Sequence, residues 1–226
     1  NNKLDDNPSG VATDIRGFIH GDVIHSRPVV INYNRNSDDV FVFYGANDGL
    51  FRAVKGGQAS GGGAEQWAFV PPEGFSKLKR LRDETPIIST TDTKPYFIDG
   101  SPTVYTSTVT NDGDIDSSEG DKAYVYLTAR RGGRFIYALD VSNPATPKLL
   151  WKRSNSDSGF SELGQTWSEL KVGRIRGQTD PVVIFGLGYD SVANDSNVVP
   201  APGTMGRGVM ILNAVTGEKI WSTEEA

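Results

Sequence analysis

Short apolar runs rich in Val, Ile, Phe and Tyr alternate along this chain with clusters of Gly, Asn, Asp and Pro. Such residues suit a pleated, half-buried surface, and the clusters between them supply the positive φ angles and chain reversals of hairpins. The pattern predicts a first set of strands at 27–32 (RPVVIN), 39–45 (DVFVFYG), 49–54 (GLFRAV) and 65–70 (EQWAFV). A second set follows at 101–106 (SPTVYT), 122–128 (KAYVYLT), 134–140 (RFIYALD) and 149–153 (LLWKR). A third lies at 168–173 (SELKVG), 181–186 (PVVIFG), 208–214 (GVMILNA) and 219–223 (KIWST).

The three sets can be laid over one another, and repetition of this kind decides architecture before local structure does. Units begin at Ser26, Ser101 and Ser168, so each is longer than the roughly 40–50 residues of a compact propeller blade. The excess falls in insertions at 71–100, 154–166 and 189–206. A four-stranded sheet cannot cover both of its faces alone and must pack on neighbours. The expected fold is therefore all-β: a β-propeller of four-stranded antiparallel blades, about three of them in this chain. The blades are expected at about 26–70, 101–153 and 168–223, within a propeller portion spanning 17–226. Residues 1–16 read as a polar N-terminal segment. Three blades are fewer than the ~4–8 of a closed propeller, and both ends of the chain read as cuts in a longer protein. The fourth run of each unit carries a tryptophan, Trp67, Trp151 and Trp221, suited to packing between adjacent sheets.

One insertion has a helical period. In 71–84 (PPEGFSKLKRLRDE), Pro72 before an acidic residue marks a start, and Phe75, Leu78 and Leu81 recur at spacing three. This predicts a short helix whose basic face, with Lys77, Lys79, Arg80 and Arg82, looks to solvent. The glycine-rich stretch 56–63 (GGQASGGG) leads into a strand and not a helix, so it reads as a hairpin loop and not a phosphate cradle.

The net charge of −5 and pI near 5.1 argue against a general nucleic-acid binder. The absence of cysteine excludes disulfides, thiolate metal sites and cysteine nucleophiles. No apolar run approaches the ~18 residues of a membrane-spanning helix. His20 and His25 are the only histidines, and no third ligand stands beside them. No nucleophile elbow or His-Glu metal motif occurs, so no enzymatic activity is expected.

The strongest candidate chemistry is the hairpin loop 111–121, NDGDIDSSEGD. Asp112, Asp114 and Asp116 alternate, followed by Glu119 and Asp121. Calcium takes six to eight hard oxygens, and alternating aspartates in a glycine-containing turn supply them without a large scaffold. The loop departs from an EF-hand, with Ser117 at the glycine position and no closing bidentate glutamate. The competing reading is a solvated acidic hairpin tip. A second acidic loop, 189–197 (YDSVANDSN), is a weaker candidate.

The ordered set HSRPVVIN, GANDGLFRAV, EQWAFVPPE, YFIDGSPTVY, ARRGGRFIYALDVSNPATPKLLW, ELGQTWSELKVGRI, VVIFGLGYDS and MILNAVTGEKIW resembles the PilC/PilY family of type IV pilus proteins. The resemblance runs from about Gly21 to Trp221, and its order is more specific than any single motif. It implies part of the C-terminal propeller domain of an exported protein at the pilus tip or outer cell surface. It further implies a non-enzymatic role in pilus biogenesis, adhesion and twitching motility, with pilus subunits (minor pilins) and host or surface ligands as partners. The family includes calcium-regulated members whose calcium loop lies on a later blade, so the carboxylates of 111–121 rest on their own chemistry. Two alternatives compete. The motif AVTGEKIW resembles the tryptophan-docking motif of quinoprotein (PQQ) dehydrogenases, many of which carry adjacent cysteines that are missing here. A periplasmic scaffold propeller is the other.

Overall fold

The computed structural model describes residues 20–83, 85–195 and 203–223; the polar segment expected at 1–16 lies outside them. Among the described residues are three four-stranded antiparallel sheets, each with its strands in sequence order. The first holds β1 (Val29–Asn32), β2 (Val40–Gly45), β3 (Phe51–Lys55) and β4 (Glu65–Phe69). The second holds β5 (Thr103–Ser107), β6 (Lys122–Thr128), β7 (Phe135–Asp140) and β8 (Lys148–Ser154). The third holds β9 (Lys171–Gly173), β10 (Val182–Gly186), β11 (Val209–Asn213) and β12 (Lys219–Ser222). Each strand overlaps the apolar run that predicts it.

The middle sheet is covered on both faces, which is why β6 and β7 read as nearly continuous apolar runs. Because side chains alternate along a strand, Ala123, Val125 and Leu127 join Phe41, Phe43 and Phe51 of the first sheet in one core. Their neighbours Tyr124 and Tyr126 join Val183, Phe185 and Leu212 of the third sheet in another. Each large side chain so buried contributes about 1.5–3 kcal/mol. The first strands β1, β5 and β9 sit beside one another, and Thr103 Oγ1 donates across to the Leu170 carbonyl at 2.9 Å.

The outer strands are joined differently. The indole N–H of Trp67 donates to the Pro144 carbonyl at 2.8 Å, in the β7–β8 turn of the next sheet. Trp151 repeats this one sheet on, donating to the Ala214 carbonyl at 3.0 Å. The phenols of Tyr33 and Tyr126 reach the same turns, at the Val141 and Ala214 carbonyls, and burial holds both phenols in their protonated, donating form. The turns are shaped to receive them. Asp140 accepts from the Ser142 N–H and Asn213 from those of Val215 and Thr216, the side-chain-to-backbone bonds that replace a backbone turn. Gly217, at φ +70°, lies under the Trp151 ring, where a Cβ would stand 2.6 Å from Cδ2.

A β-bulge accompanies each tryptophan. The register shifts between Ala53 and Val54, between Ala138 and Leu139, and between Ile211 and Leu212, directly after the residue paired with Trp67, Trp151 or Trp221. The unpaired extra residue is Gln66, Leu150 or Ile220 in turn. A bulge bends the strand and increases its twist, so the same device sits beside all three tryptophans.

Between the first and second sheets, a 3₁₀ turn (Pro72–Gly74) opens α1 (Phe75–Asp83). No residue of α1 is buried, and Phe75, expected on its inner face, is 57% exposed. The helix instead turns Lys77 inward, onto the carbonyls of Tyr96 and Gly132. A single turn, α2 (Ser191–Asn194), is capped by the buried Asp190. No helix among the described residues is long and apolar enough to cross a membrane.

These contacts rank the tryptophans. Trp151→Phe should lower stability by about 1 kcal/mol through the lost buried hydrogen bond, and Trp151→Ala by roughly 3–5 kcal/mol. Trp221, 50% exposed, should tolerate Ala at less than about 1 kcal/mol. Urea denaturation of the three variants checks the order.

Candidate metal centre

The loop 108–121 joins β5 to β6, at the end of the second sheet where β1 also turns into β2. It is tied to that neighbouring turn. Ile115, buried in the core between the first two sheets, donates its N–H to the Tyr33 carbonyl at 2.8 Å. Asn34 Nδ2 donates to the Gly113 carbonyl at 2.7 Å. Asn111, Gly113 and Gly120 take positive φ, the conformations a tight loop of this kind demands and that Asn and Gly accept most readily.

The five acidic residues separate into two groups. Asp121 is fully buried and clamps the base of the loop, accepting from the backbone N–H of Val109 at 2.7 Å and of Asp116 at 3.0 Å. Asp116 caps the 3₁₀ turn Ser117–Glu119, accepting from the Ser118 N–H and hydroxyl. Asp112, Asp114 and Glu119 converge, each offering an oxygen within 4.8 Å of the others. This is the sole grouping of three or more such ligands among the described residues. Thr110 donates to Glu119, and the Asp114 N–H approaches Asp112. One oxygen of Asp114 is shielded from solvent without a hydrogen-bond partner.

The protonation equilibria follow this division. Asp116 is held below the usual carboxylate range by the Ser118 backbone and hydroxyl, and Asp112 by the Asp114 N–H. Asp114 is pushed up by partial burial and by repulsion from Asp112, Asp116 and Asp121. For Glu119 the Thr110 hydrogen bond is the largest influence and lowers it, but repulsion from Asp112 and the other neighbours together with burial outweighs it, and the net shift is upward. Crowded carboxylates that resist ionisation are what a hard cation relieves.

The histidines take no part. His25 Nδ1 bonds the buried Asp99 at 2.7 Å, and His20 stacks on Tyr44. In the second acidic loop, Asp190 caps α2 and Asp195 accepts from the Tyr189 hydroxyl; its last residues, 196 and 197, lie outside the described residues. The division of labour within 111–121 carries no sequence signal except Ser118, two residues after Asp116, which fits a cap.

No family model matches the chain. The type IV pilus biogenesis factor PilY1 of Pseudomonas aeruginosa (strain UCBPP-PA14) is 30% identical over 199 residues, covering 78% of this chain and 16% of that protein. A PilY1 homolog of Xylella fastidiosa (strain Temecula1) is 28% identical over 208 residues, covering 82% of this chain and 15% of the homolog. The crystal structure of the Pseudomonas aeruginosa PilY1 C-terminal domain superposes with a TM-score of 0.54 at 25% identity, over 83% of this chain and 30% of that one. The chain thus spans 16 and 15% of the length of these two relatives.

The two carboxylate groups should respond oppositely to change. Asp121→Asn leaves one buried backbone N–H without an acceptor oxygen and should cost about 1–3 kcal/mol. Asp114→Asn should raise the melting temperature of the metal-free chain at neutral pH. A raised carboxyl favours folding below its ordinary range and loses that contribution as pH rises through its folded value; the gain should therefore vanish on acidification below the ordinary aspartate range. Thermal melts at several pH values test both.

Proposed function

The chain belongs to the PilC/PilY family, as a segment homologous to the C-terminal domain of PilY1, and on that premise we propose that it is a binding and assembly module of a type IV pilus biogenesis factor. The observation that carries this reading is the match of most of the chain, in sequence and in fold, to one protein described as a pilus biogenesis factor. The module acts by presenting surfaces on a rigid frame and not by catalysis. Its setting is the outside of a Gram-negative cell or the periplasm, and its partners are pilus subunits, among them minor pilins. Adhesion to surfaces belongs to the same proposal.

The three sheets are read as consecutive blades of a propeller. Support comes from the repeated interface, in which a fourth-strand tryptophan reaches the turn of the following sheet. Trp221 has the same place beside its bulge but no such acceptor among the described residues. A further blade on that face would cover it. The quinoprotein reading is not favoured, since the relatives are pilus factors and the tryptophans serve the joints between sheets.

Within this module, Asp112, Asp114 and Glu119 are proposed to hold a calcium ion. Asp116 and Asp121, the other members of the acidic set, shape the loop around it. The support is the convergence of three oxygens and the shielded, unpartnered oxygen of Asp114. Binding would lend the second sheet a modest, calcium-dependent stability.

Removing this segment from the full-length protein in its own bacterium should abolish surface pili and twitching motility. Unchanged piliation, or a bound quinone with dye reduction by the purified protein, would overturn the reading. Calorimetric titration of the metal-free chain with calcium should give saturable binding that Asp114→Asn with Glu119→Gln abolishes. The absence of heat at millimolar calcium would return the loop to a solvated hairpin.

A further inference from the structure

The end of the second sheet opposite the acidic loop has the reverse character. There the β6–β7 turn carries Arg130, Arg131, Gly132 and Gly133, and α1 lies beside it with the segment 93–97. The Gly132 backbone lies so close that a Cβ would fall 1.6 Å from the Phe97 carbonyl, which keeps the turn and this segment in fixed relation. Between them runs a groove of about 630 Å³, lined by Lys77, Arg80, Lys94, Tyr96 and Arg131. Asp195 is the one carboxylate in its described lining. The size falls in the range of about 300–1,000 Å³ typical of ligand sites.

These cations are held in place largely without carboxylates. Arg131 lies over the rings of Trp167 at 5.2 Å and Tyr96 at 5.9 Å, with no carboxylate partner among the described residues. Arg80 spends three donors on the carbonyls of Pro86, Asp92 and Thr93. Lys77 bonds the carbonyls of Tyr96 and Gly132 at 2.9 and 2.7 Å. An ammonium has three donors and a guanidinium five, so N–H groups remain for a ligand on all three. Lys94 alone is paired, with Asp22 at 2.8 Å, and Asp195 already accepts from Tyr189. Burial pulls Lys77 below the ordinary lysine range, as expected of an ammonium short of a counter-charge. In a chain of net charge −5, Lys77, Arg80 and Arg131 form a preorganised group of positive charges with no carboxylate partner among the described residues.

We propose that this groove binds an acidic peptide segment, one aspartate or glutamate carboxylate engaging the planar fork of Arg131 and a second reaching Lys77 and Arg80. Fork-to-fork pairing with a carboxylate is the strongest use of a guanidinium. The aromatic faces favour a peptide over an acidic saccharide. Stacking a sugar ring needs an open aromatic plane, and Tyr96, the aromatic in the groove's described lining, has the charged groups of Lys94 and Arg131 each at 5.9 Å from its ring centroid. The site goes beyond the pilus reading and does not depend on it.

The test is fluorescence anisotropy of the chain with a short end-blocked Asp/Glu-rich peptide and its Asn/Gln counterpart. The acidic peptide should bind, weaken with added salt, and lose roughly tenfold or more in affinity in Arg131→Gln, while Arg131→Lys retains part. Arg131 is exposed and its side chain makes no hydrogen bond among the described residues, so Arg131→Gln, which gives up only exposed ring contacts, should melt close to the parent chain, and Lys171→Gln, on the distant β9, should bind as the parent does. Equal affinity in Arg131→Gln, equal binding of the uncharged peptide, or no binding below about 1 mM would overturn the proposal. Binding of an acidic oligosaccharide but not the peptide would also overturn it.

Discussion

A four-stranded sheet with apolar side chains on both faces has to be covered twice, and this requirement governs how the rest of the chain is arranged. The middle sheet meets it through Val125 and Leu127 toward one neighbour and Tyr124 and Tyr126 toward the other. Burial of this kind is non-directional. It explains why the sheets stack but not why they stack in one orientation. Orientation comes from the polar handles of the outer aromatics, since a buried indole or phenol must find an acceptor. Trp67 and Tyr33 find theirs in one turn and Trp151 and Tyr126 in the next. A rotation or slide of one sheet on another would leave these donors unpaired.

The bulge and the turn cooperate in this joint. In each fourth strand the register slips by one residue beside the tryptophan, and for Trp67 and Trp151 the added twist accompanies an indole directed out of its own sheet. The receiving turn must bring a carbonyl forward while leaving room for a ring, which Asn213 and Gly217 together accomplish in the third sheet. Repetition of the same joint makes the architecture extensible, and the half-exposed Trp221 presents the same chemistry at the outer face of the third sheet.

With the stacking settled by the strands, the ends of the sheets are free to carry function. One end of the second sheet gathers Asp112, Asp114 and Glu119, and the other gathers Lys77, Arg80 and Arg131. The charges are kept apart by the length of a strand, so neither group neutralises the other. Each is held by backbone contacts: the acidic loop by Asp121 on two N–H groups, the basic groove by carbonyls bonded to Lys77 and Arg80.

Local chemistry was enough to settle the strands. The alternation of β2, the apolar density of β6 and β7, and the Gly, Asn and Asp turns between them are properties of short segments, and short-range sterics and burial fix them in place. The three-fold repeat and the fourth-strand tryptophans were legible for the same reason. The acidic loop was visible as composition, but not the separation of Asp116 and Asp121 from the three converging carboxylates, because which oxygen meets a backbone N–H depends on loop closure. The groove was invisible. Phe75, Leu78 and Leu81 suggested a buried apolar face, whereas packing turned Lys77 inward onto carbonyls from segments far along the chain. The bulges were equally hidden, since no residue type marks the slip: the unpaired residue is Gln66, Leu150 or Ile220 in turn. Period and turn chemistry act within a few residues and can be read from the sequence; partners for buried polar groups come from distant segments, and only the tertiary structure assigns them.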